Sequence, residues 1–134
     1  MADPVVIGFG ANKWVKDSNT KMKCLYFQNF SSSGTFTLHD AEDGSNYQVP
    51  VGKKLIVLSI LYVCDTGAGS NDLDVWESTS ADSATGNKIY QYVGSSNSSN
   101  IQFETYIEFS ASKYVNFGSK SSTGTTVMGV ETNA

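Results

Sequence analysis

Five carboxylate or carboxamide side chains lie close together in the segment CDTGAGSNDLDVWE, residues 64–77. They are Asp65, Asn71, Asp72, Asp74 and Glu77. Ca²⁺ takes about six to eight oxygen ligands in a flexible shell, and a glycine-rich loop can supply such a shell. The spacing does not match the EF-hand pattern, however, and Asp and Asn also stabilise turns through their own backbone. We favour the turn interpretation and keep a calcium site on Asp65, Asp72 and Asp74 as the alternative. The sequence suggests no other cofactor.

Aromatic residues next to these acids suggest a second kind of site. Strand alternation places Trp76 on the same face as Asp72 and Asp74, and Tyr90 and Tyr92 share a face of the next strand. Exposed aromatic rings stack on sugar rings, while Asn, Asp and Gln bind the hydroxyl groups. The alternative, which we favour, is that the rings pack at sheet edges. The hypothesis is therefore a glycan site on Trp76, Tyr90 and Tyr92.

The sequence contains little that could perform catalysis. His39 is the only histidine, and no G-x-S-x-G elbow is present for a serine nucleophile. Glu104 and Glu108 would lie ~13 Å apart along a strand, farther than the paired carboxylates of glycosidases. We expect no enzymatic activity.

Charge and composition exclude two classes of partner. The chain of 134 residues has a net charge of -4 and a pI near 4.7, and its nine basic residues are all lysines. Nucleic-acid binders carry a basic face and rely on arginine, so no nucleic-acid partner is expected. The longest apolar run, residues 55–64, is too short to span a bilayer, so no membrane insertion is expected.

The elements that would position these residues are strands. Residues 101–109 alternate between apolar and polar, which is typical of a half-solvated strand, and turn residues recur at short intervals. We predict one domain over residues 1–134: an all-β, two-sheet antiparallel β-sandwich, jelly-roll-like, with nine or ten short strands. Asp43-Gly44 predicts a tight turn, Gly52 a positive φ, and residues 113–117 a strand pairing with 101–109.

The strand at residues 55–64 is apolar on both faces. Simple alternation puts Leu55, Val57, Leu61 and Val63 on one face, and the residues Ile56, Leu58, Ile60, Tyr62 and Cys64 on the other. Since a sandwich strand buries one face only, the second face needs a cover. Another subunit or a long loop of the same chain could provide it. We predict a subunit interface on Leu55, Val57, Leu61 and Val63.

Cys24 and Cys64 lie in apolar, strand-like runs. Their spacing fits no metal site. Two buried free thiols are favoured over a disulfide between them.

The segment Tyr47 to Ser83 carries a resemblance. Its VPVGKKLIVLSI strand opening, followed by an Asp/Gly/Ser loop and DVWESTSADS, resembles small jelly-roll proteins of phage particles and related trimeric surface modules. The resemblance implies a non-enzymatic homotrimer that serves as a structural or host-attachment module, on a virion or an extracellular surface. The alternative is a monomeric, lectin-like carbohydrate-binding module, with or without calcium.

Overall fold

The computed structural model describes the backbone of residues 5–9, 12–16, 20–29, 34–64, 71–94, 98–119 and 123–134. Side chains are described for residues 20–27, 34–61, 73–91, 107–118 and 124–134. Within these ranges every regular element is a β-strand, and no helix there is long and apolar enough to cross a membrane. The prediction of an all-β chain is confirmed.

In chain order the strands are β1 (Val5–Phe9), β2 (Asn12–Lys16), β3 (Lys21–Asn29), β4 (Gly34–Thr37), β5 (His39–Asp40), β6 (Lys53–Cys64), β7 (Asn71–Ser78), β8 (Asn87–Gly94), β9 (Ser98–Phe109), β10 (Tyr114–Ser119) and β11 (Thr123–Asn133). One sheet has the order β5-β3-β11-β6-β9, and the other has the order β4-β10-β7-β8. Strands β1 and β2 pair with each other as a separate two-stranded sheet.

The strand pairing is nested, and this nesting defines the fold. Strand β3 pairs with β11, β4 with β10, β6 with β9, and β7 with β8, all antiparallel. From β3 to β11 the chain crosses between the sheets at every step except two, the link from β5 to β6 and the β7–β8 hairpin. Eight strands paired in this way form a jelly roll. The two-sheet, jelly-roll-like sandwich is therefore confirmed.

The core lies between the two sheets and is built from alternate residues of their inner faces. Its fully buried members come from both sheets and from the segments that link β4 to β5 and β5 to β6: Leu25, Leu38, Val49, Leu55, Val57, Ile60, Leu73, Val75, Phe109, Val115 and Val127. Because most of these residues are β-branched or aliphatic, they favour the strand conformation and pack across it. The outer faces remain to be covered or solvated.

A β-bulge in β6 changes which side chains share a face. The register with β11 shifts between Met128 and Gly129, and the register with β9 shifts between Val57 and Ser59, so Leu58 is the extra residue. Leu55, Val57 and Ile60 consequently all enter the core. The predicted grouping of Leu55 and Val57 with Leu61 on one face is wrong, because a bulge reverses the alternation that follows it.

The turns follow the sequence closely. Gly44 and Gly52 have φ values of 75° and 76°, in the left-handed region that glycine tolerates best.

One strand pairing differs from the prediction. Strand β10 does not pair with β9 but crosses to the other sheet, where it lies between β4 and β7. The crossing occurs at residues 110–113, where Ser112 has a φ of 63°.

Candidate interaction surfaces

The outer face of the five-stranded sheet carries three cross-strand rows of largely apolar residues. The pairings of β3, β11 and β6 place in successive rows Tyr26–Thr126–Leu61, Cys24–Met128–Ser59 and Met22–Val130–Ile56. We call these nine positions the apolar face. None of them carries a charged side chain. An ion pair, Lys54 Nζ to Glu108 Oε1 at 2.8 Å, flanks Ile56 and gives this side a polar rim.

Exposure increases along the apolar face from one end to the other. Val130 and Ile56 are 2% and 8% exposed, whereas Met128 is 38%, Leu61 46% and Tyr26 37% exposed. Large apolar side chains that remain exposed side by side commonly mark a protein interaction site. The exposed end, around Leu61, Met128 and Tyr26, is therefore the candidate contact surface.

The four residues predicted to form an interface do not share one surface in the structure. Leu55 and Val57 are buried in the core of their own chain, so they are not available to another subunit. Leu61 lies on the apolar face, and the side chain of Val63 lies outside the described residues. The sequence reasoning missed Tyr26 and Met128. Their alternation with buried neighbours in β3 and β11 was the signal that could have identified them.

Cys24 is a free, half-buried thiol on the apolar face. Its row contains Met128 and Ser59, whereas the backbone of Cys64 pairs with Thr123, five positions further along β6. Five residues of strand span ~16 Å, more than the ~7 Å between Cα atoms that a disulfide can bridge. The two cysteines are too far apart to pair within one chain.

The outer face of the four-stranded sheet is polar, and part of it is closed by the chain itself. Thr37 and Asn116 are fully buried there, and the Thr37 hydroxyl donates to Asn116 Oδ1 at 2.7 Å. The Asn116 amide nitrogen donates to the carbonyls of Ser80 and Ser83, both at 2.9 Å. Asp82 exchanges two further hydrogen bonds of 2.8 Å with Thr37. The loop at residues 79–86 is thus fastened to the sheet by satisfied polar groups.

Next to this loop, Trp76, Asp74 and Lys88 form a compact group. Trp76 and Asp74 project from β7 on the same outer face, as their pairing with Asn116 and Gly118 of β10 shows. Lys88 Nζ lies 5.0 Å from the Trp76 ring centroid and 3.2 Å from Asp74 Oδ2. The other carboxylate oxygen, Asp74 Oδ1, is buried without a hydrogen-bond partner. This group combines an aromatic ring, a partly exposed cation and an unsatisfied acceptor.

The structure does not bring the predicted glycan-binding residues together. Tyr90 is paired with Val75 and packs against the core, on the opposite side of the sheet from Trp76. Val75 and Trp76 are consecutive in β7 and face opposite sides of the sheet, so the pairing of Tyr90 with Val75 places Tyr90 on the face opposite Trp76. The side chain of Tyr92 lies outside the described residues.

The predicted calcium ligands are only partly described. Asp65 and the side chain of Asp72 lie outside the described residues, and Asp74 is engaged by Lys88. Glu77 accepts a hydrogen bond of 2.7 Å from the Ser110 backbone nitrogen. Among the described residues, no three His, Cys, Asp or Glu side chains are grouped as a metal ion would need.

A buried charge cluster closes one end of the five-stranded sheet. Lys23 is 6% exposed, and its Nζ contacts Asp40 Oδ2 at 2.5 Å and Glu42 Oε2 at 3.2 Å. Burial favours the neutral amine, but the hydrogen bonds to Asp40 and Glu42 outweigh it and raise the pKa of Lys23. Hydrogen bonds from Lys21 and then Lys23 lower the pKa of Glu42. These contacts join β3 to the turn after β5.

Tyr47 lies beside this cluster. Its hydroxyl donates to Glu131 Oε2 at 3.0 Å. Burial, together with the negative charge of Glu131, raises the pKa of Tyr47 well above its usual range. His39 lies nearby, with Nδ1 2.8 Å from the Gly44 carbonyl oxygen and its ring between Tyr26 and Phe27. These contacts give both side chains structural roles.

Comparison with known proteins gives one solved structure to report. No protein-family model and no curated protein matches the chain. The solved structure, described as "Bacillus endospore appendages form a novel family of disulfide-linked pili", is similar with a TM-score of 0.43 and 11% identity. The match covers 98% of this chain and 91% of that one. That neighbour is a surface appendage protein of endospores and not a protein of a phage particle.

Proposed function

We propose that the protein is a non-enzymatic structural module of an extracellular or particle surface that assembles with copies of itself through the apolar face. The single observation that carries the proposal is the exposed end of that face. Leu61, Met128 and Tyr26 occupy adjoining rows, each more than a third exposed.

The energetics favour covering this face. Removing a large apolar side chain from water contributes about 1.5–3 kcal/mol when burial is complete. The three exposed residues still have over a third of that surface to bury. A second sheet packed on the first would bury it, as sheets do within a sandwich. Because none of the nine positions carries a charge, such contact would bury no charged side chain without a partner.

The jelly-roll topology supports the finer part of the proposal. In the phage-particle and surface modules that the segment 47–83 resembles, jelly rolls assemble as trimers. We therefore propose a homotrimer used as a structural or host-attachment component on a virion or another extracellular surface. A receptor would then be bound by loops that the assembly leaves free.

The experiment is a measurement of solution mass by light scattering over a hundredfold dilution series. The proposal predicts three times the chain mass for the wild type and a monomer for the double variant Leu61→Lys, Met128→Lys. The matched control is Gln91→Lys, which adds a charge to the exposed, polar face of the other sheet and is expected to leave the trimer intact.

Two results would overturn the proposal. A wild-type protein that is monomeric at every concentration would show that the chain does not assemble with copies of itself. A trimer that survives both lysines of the double variant, with unchanged circular dichroism, would show that assembly uses another surface.

A further inference from the structure

The row at the exposed end of the apolar face continues onto a fourth strand. Strand β5 pairs with β3 so that His39 stands opposite Tyr26, and residues directly opposite each other share a face of the sheet. The row is therefore His39, Tyr26, Thr126 and Leu61, across β5, β3, β11 and β6. The ring centroids of His39 and Tyr26 are 5.8 Å apart. A surface that covers Tyr26 thus also contacts or flanks the imidazole of His39.

His39 is the one histidine in the chain. Histidine is the side chain whose ordinary change of charge falls between about pH 5 and pH 8. The chain therefore carries a single imidazole that can gain a positive charge in mildly acidic solution, and the fold places it at the edge of the surface that is proposed to assemble.

The contacts of the ring determine where the added proton goes. His39 Nδ1 lies 2.8 Å from the Gly44 carbonyl oxygen. A carbonyl oxygen only accepts, so Nδ1 carries the proton of the neutral ring and Nε2 has none. Acidification therefore adds a proton at Nε2 and leaves the bond to Gly44 in place. From β3 the ring faces Tyr26 and Phe27, and neither type of side chain bears a charge near neutral pH.

The carboxylates of the adjoining turn are bound to other groups. Asp43 Oδ1 accepts two hydrogen bonds within its own turn, and Asp40 and Glu42 both pair with Lys23. Hydrogen bonds lower the pKa of Glu42 and of Asp43, so neither gains a proton above pH 5.5. Within the described part of the chain, no carboxylate forms an ion pair with His39. A charge on this ring would have no partner of opposite sign.

We propose that His39 is an acid-sensitive switch of assembly through the apolar face: the neutral ring permits the contact, and the imidazolium opposes it. The inference rests on the proposed function, because the switch acts on that same surface. Covering Tyr26 removes water from the side of the ring, and a cation without a partner loses hydration that nothing replaces. Protonation therefore favours the separate chains, so assembly is strongest at neutral pH and weakens as the pH falls through the range in which histidine is protonated.

The test is sedimentation velocity over a dilution series at pH 7.5 and pH 5.5, at one ionic strength so that screening of charges is constant. The wild type is expected to assemble at least tenfold more weakly at pH 5.5. His39→Asn retains a donor for the Gly44 carbonyl but takes up no proton, so its assembly is expected to change less than twofold between the two pH values. His39→Lys carries a permanent charge and is expected to assemble weakly at both.

The matched control moves the histidine to the exposed outer face of the other sheet. The double variant His39→Asn, Gln91→His is expected to behave like His39→Asn. If His39→Asn fails to fold, His39→Gln takes its place.

Three results would overturn the switch alone: wild-type assembly of equal strength at both pH values, a pH dependence that His39→Asn retains, or a dilute monomer whose free energy of unfolding falls between pH 7.5 and pH 5.5 in the wild type but not in His39→Asn. A wild type that is monomeric at both pH values would overturn the switch and the proposed function together.

Discussion

The outer faces of the two sheets differ in what they expose to solvent. On the four-stranded sheet, the buried polar atoms of Thr37 and Asn116 find partners in the loop at 79–86, so the chain closes that face for itself. On the five-stranded sheet, Leu61, Met128 and Tyr26 remain exposed, and no charged residue stands among them. The part of the four-stranded sheet under this loop is satisfied within the monomer, whereas the exposed end of the other sheet gains free energy when another surface covers it. Stability and assembly are therefore expected to depend on different sheets.

The largest expected effect is at Asn116. Replacing Asn116 with Ala removes the bond from Thr37 and both donations to the loop carbonyls, leaving buried groups unpaired. We expect a loss of about 3 kcal/mol in the free energy of unfolding, measured by urea denaturation. Thr126→Ala, on the apolar face, is the matched control, with an expected change within about 0.5 kcal/mol. Equal losses in the free energy of unfolding for Asn116→Ala and Thr126→Ala would contradict the proposed difference between the two sheets.

A smaller loss in the free energy of unfolding is expected at high pH, from the hydrogen-bonded side chains of Tyr47 and Lys23. The pKa of Tyr47 is raised in the folded protein, so above about pH 10 the unfolded chain loses this proton first and stability falls as pH rises. The raised pKa of Lys23 acts in the same direction, because its contribution is complete below the unfolded pKa and is lost as pH rises through the folded one.

Tyr47→Phe separates the two contributions. It removes the tyrosine proton, so its stability is expected to fall less steeply than that of the wild type between pH 10 and 11, by up to about 1.4 kcal/mol per pH unit. Chemical denaturation at a series of pH values measures the slopes. Identical slopes would show that Tyr47 ionises normally in the folded state.

The smallest effect on the monomer is expected at Leu61. Leu61→Ser leaves the free energy of unfolding within about 0.5 kcal/mol when measured below the concentration of assembly, because the side chain is already half exposed. Its signature is a melting temperature that no longer rises with protein concentration, whereas that of the wild type does. A scanning calorimetry series covers both measurements. A large loss in the dilute monomer would place Leu61 in the fold and not in the interface.

The strands and turns could be predicted because their signals are local. Alternation identified β9, Asp43-Gly44 marked a turn, and Gly52 has the positive φ that was predicted for it. The face assignment in β6 failed for a physical reason. Residues of both parities are apolar there, so nothing in the run shows where the bulge at Leu58 reverses the pattern.

The two surfaces were harder to predict because they are built from distant parts of the chain. Asn116 bonds to Ser80 and Ser83 across more than 30 residues, and Thr35, Asp74 and Gly118 come together from three different strands. Such contacts between distant residues cannot be predicted from their spacing in the sequence. Trp76 and Asp74 could be placed together since they are two apart in one strand. The face of Tyr90 depends on its pairing with Val75 of the neighbouring strand, a register that sequence spacing does not show.

The central claim, that the apolar face is buried between copies of the chain, is tested most directly by thiol labelling on that face. In a background with Cys24 and Cys64 replaced by Ser, the labelling rate of Thr126→Cys with a maleimide is measured at high and low protein concentration, next to Gln91→Cys on the other sheet. The account predicts at least tenfold slower labelling of Thr126→Cys at high concentration and an unchanged rate for Gln91→Cys. Equal rates for Thr126→Cys at both concentrations, in a protein shown to be assembled at the higher one, would contradict it.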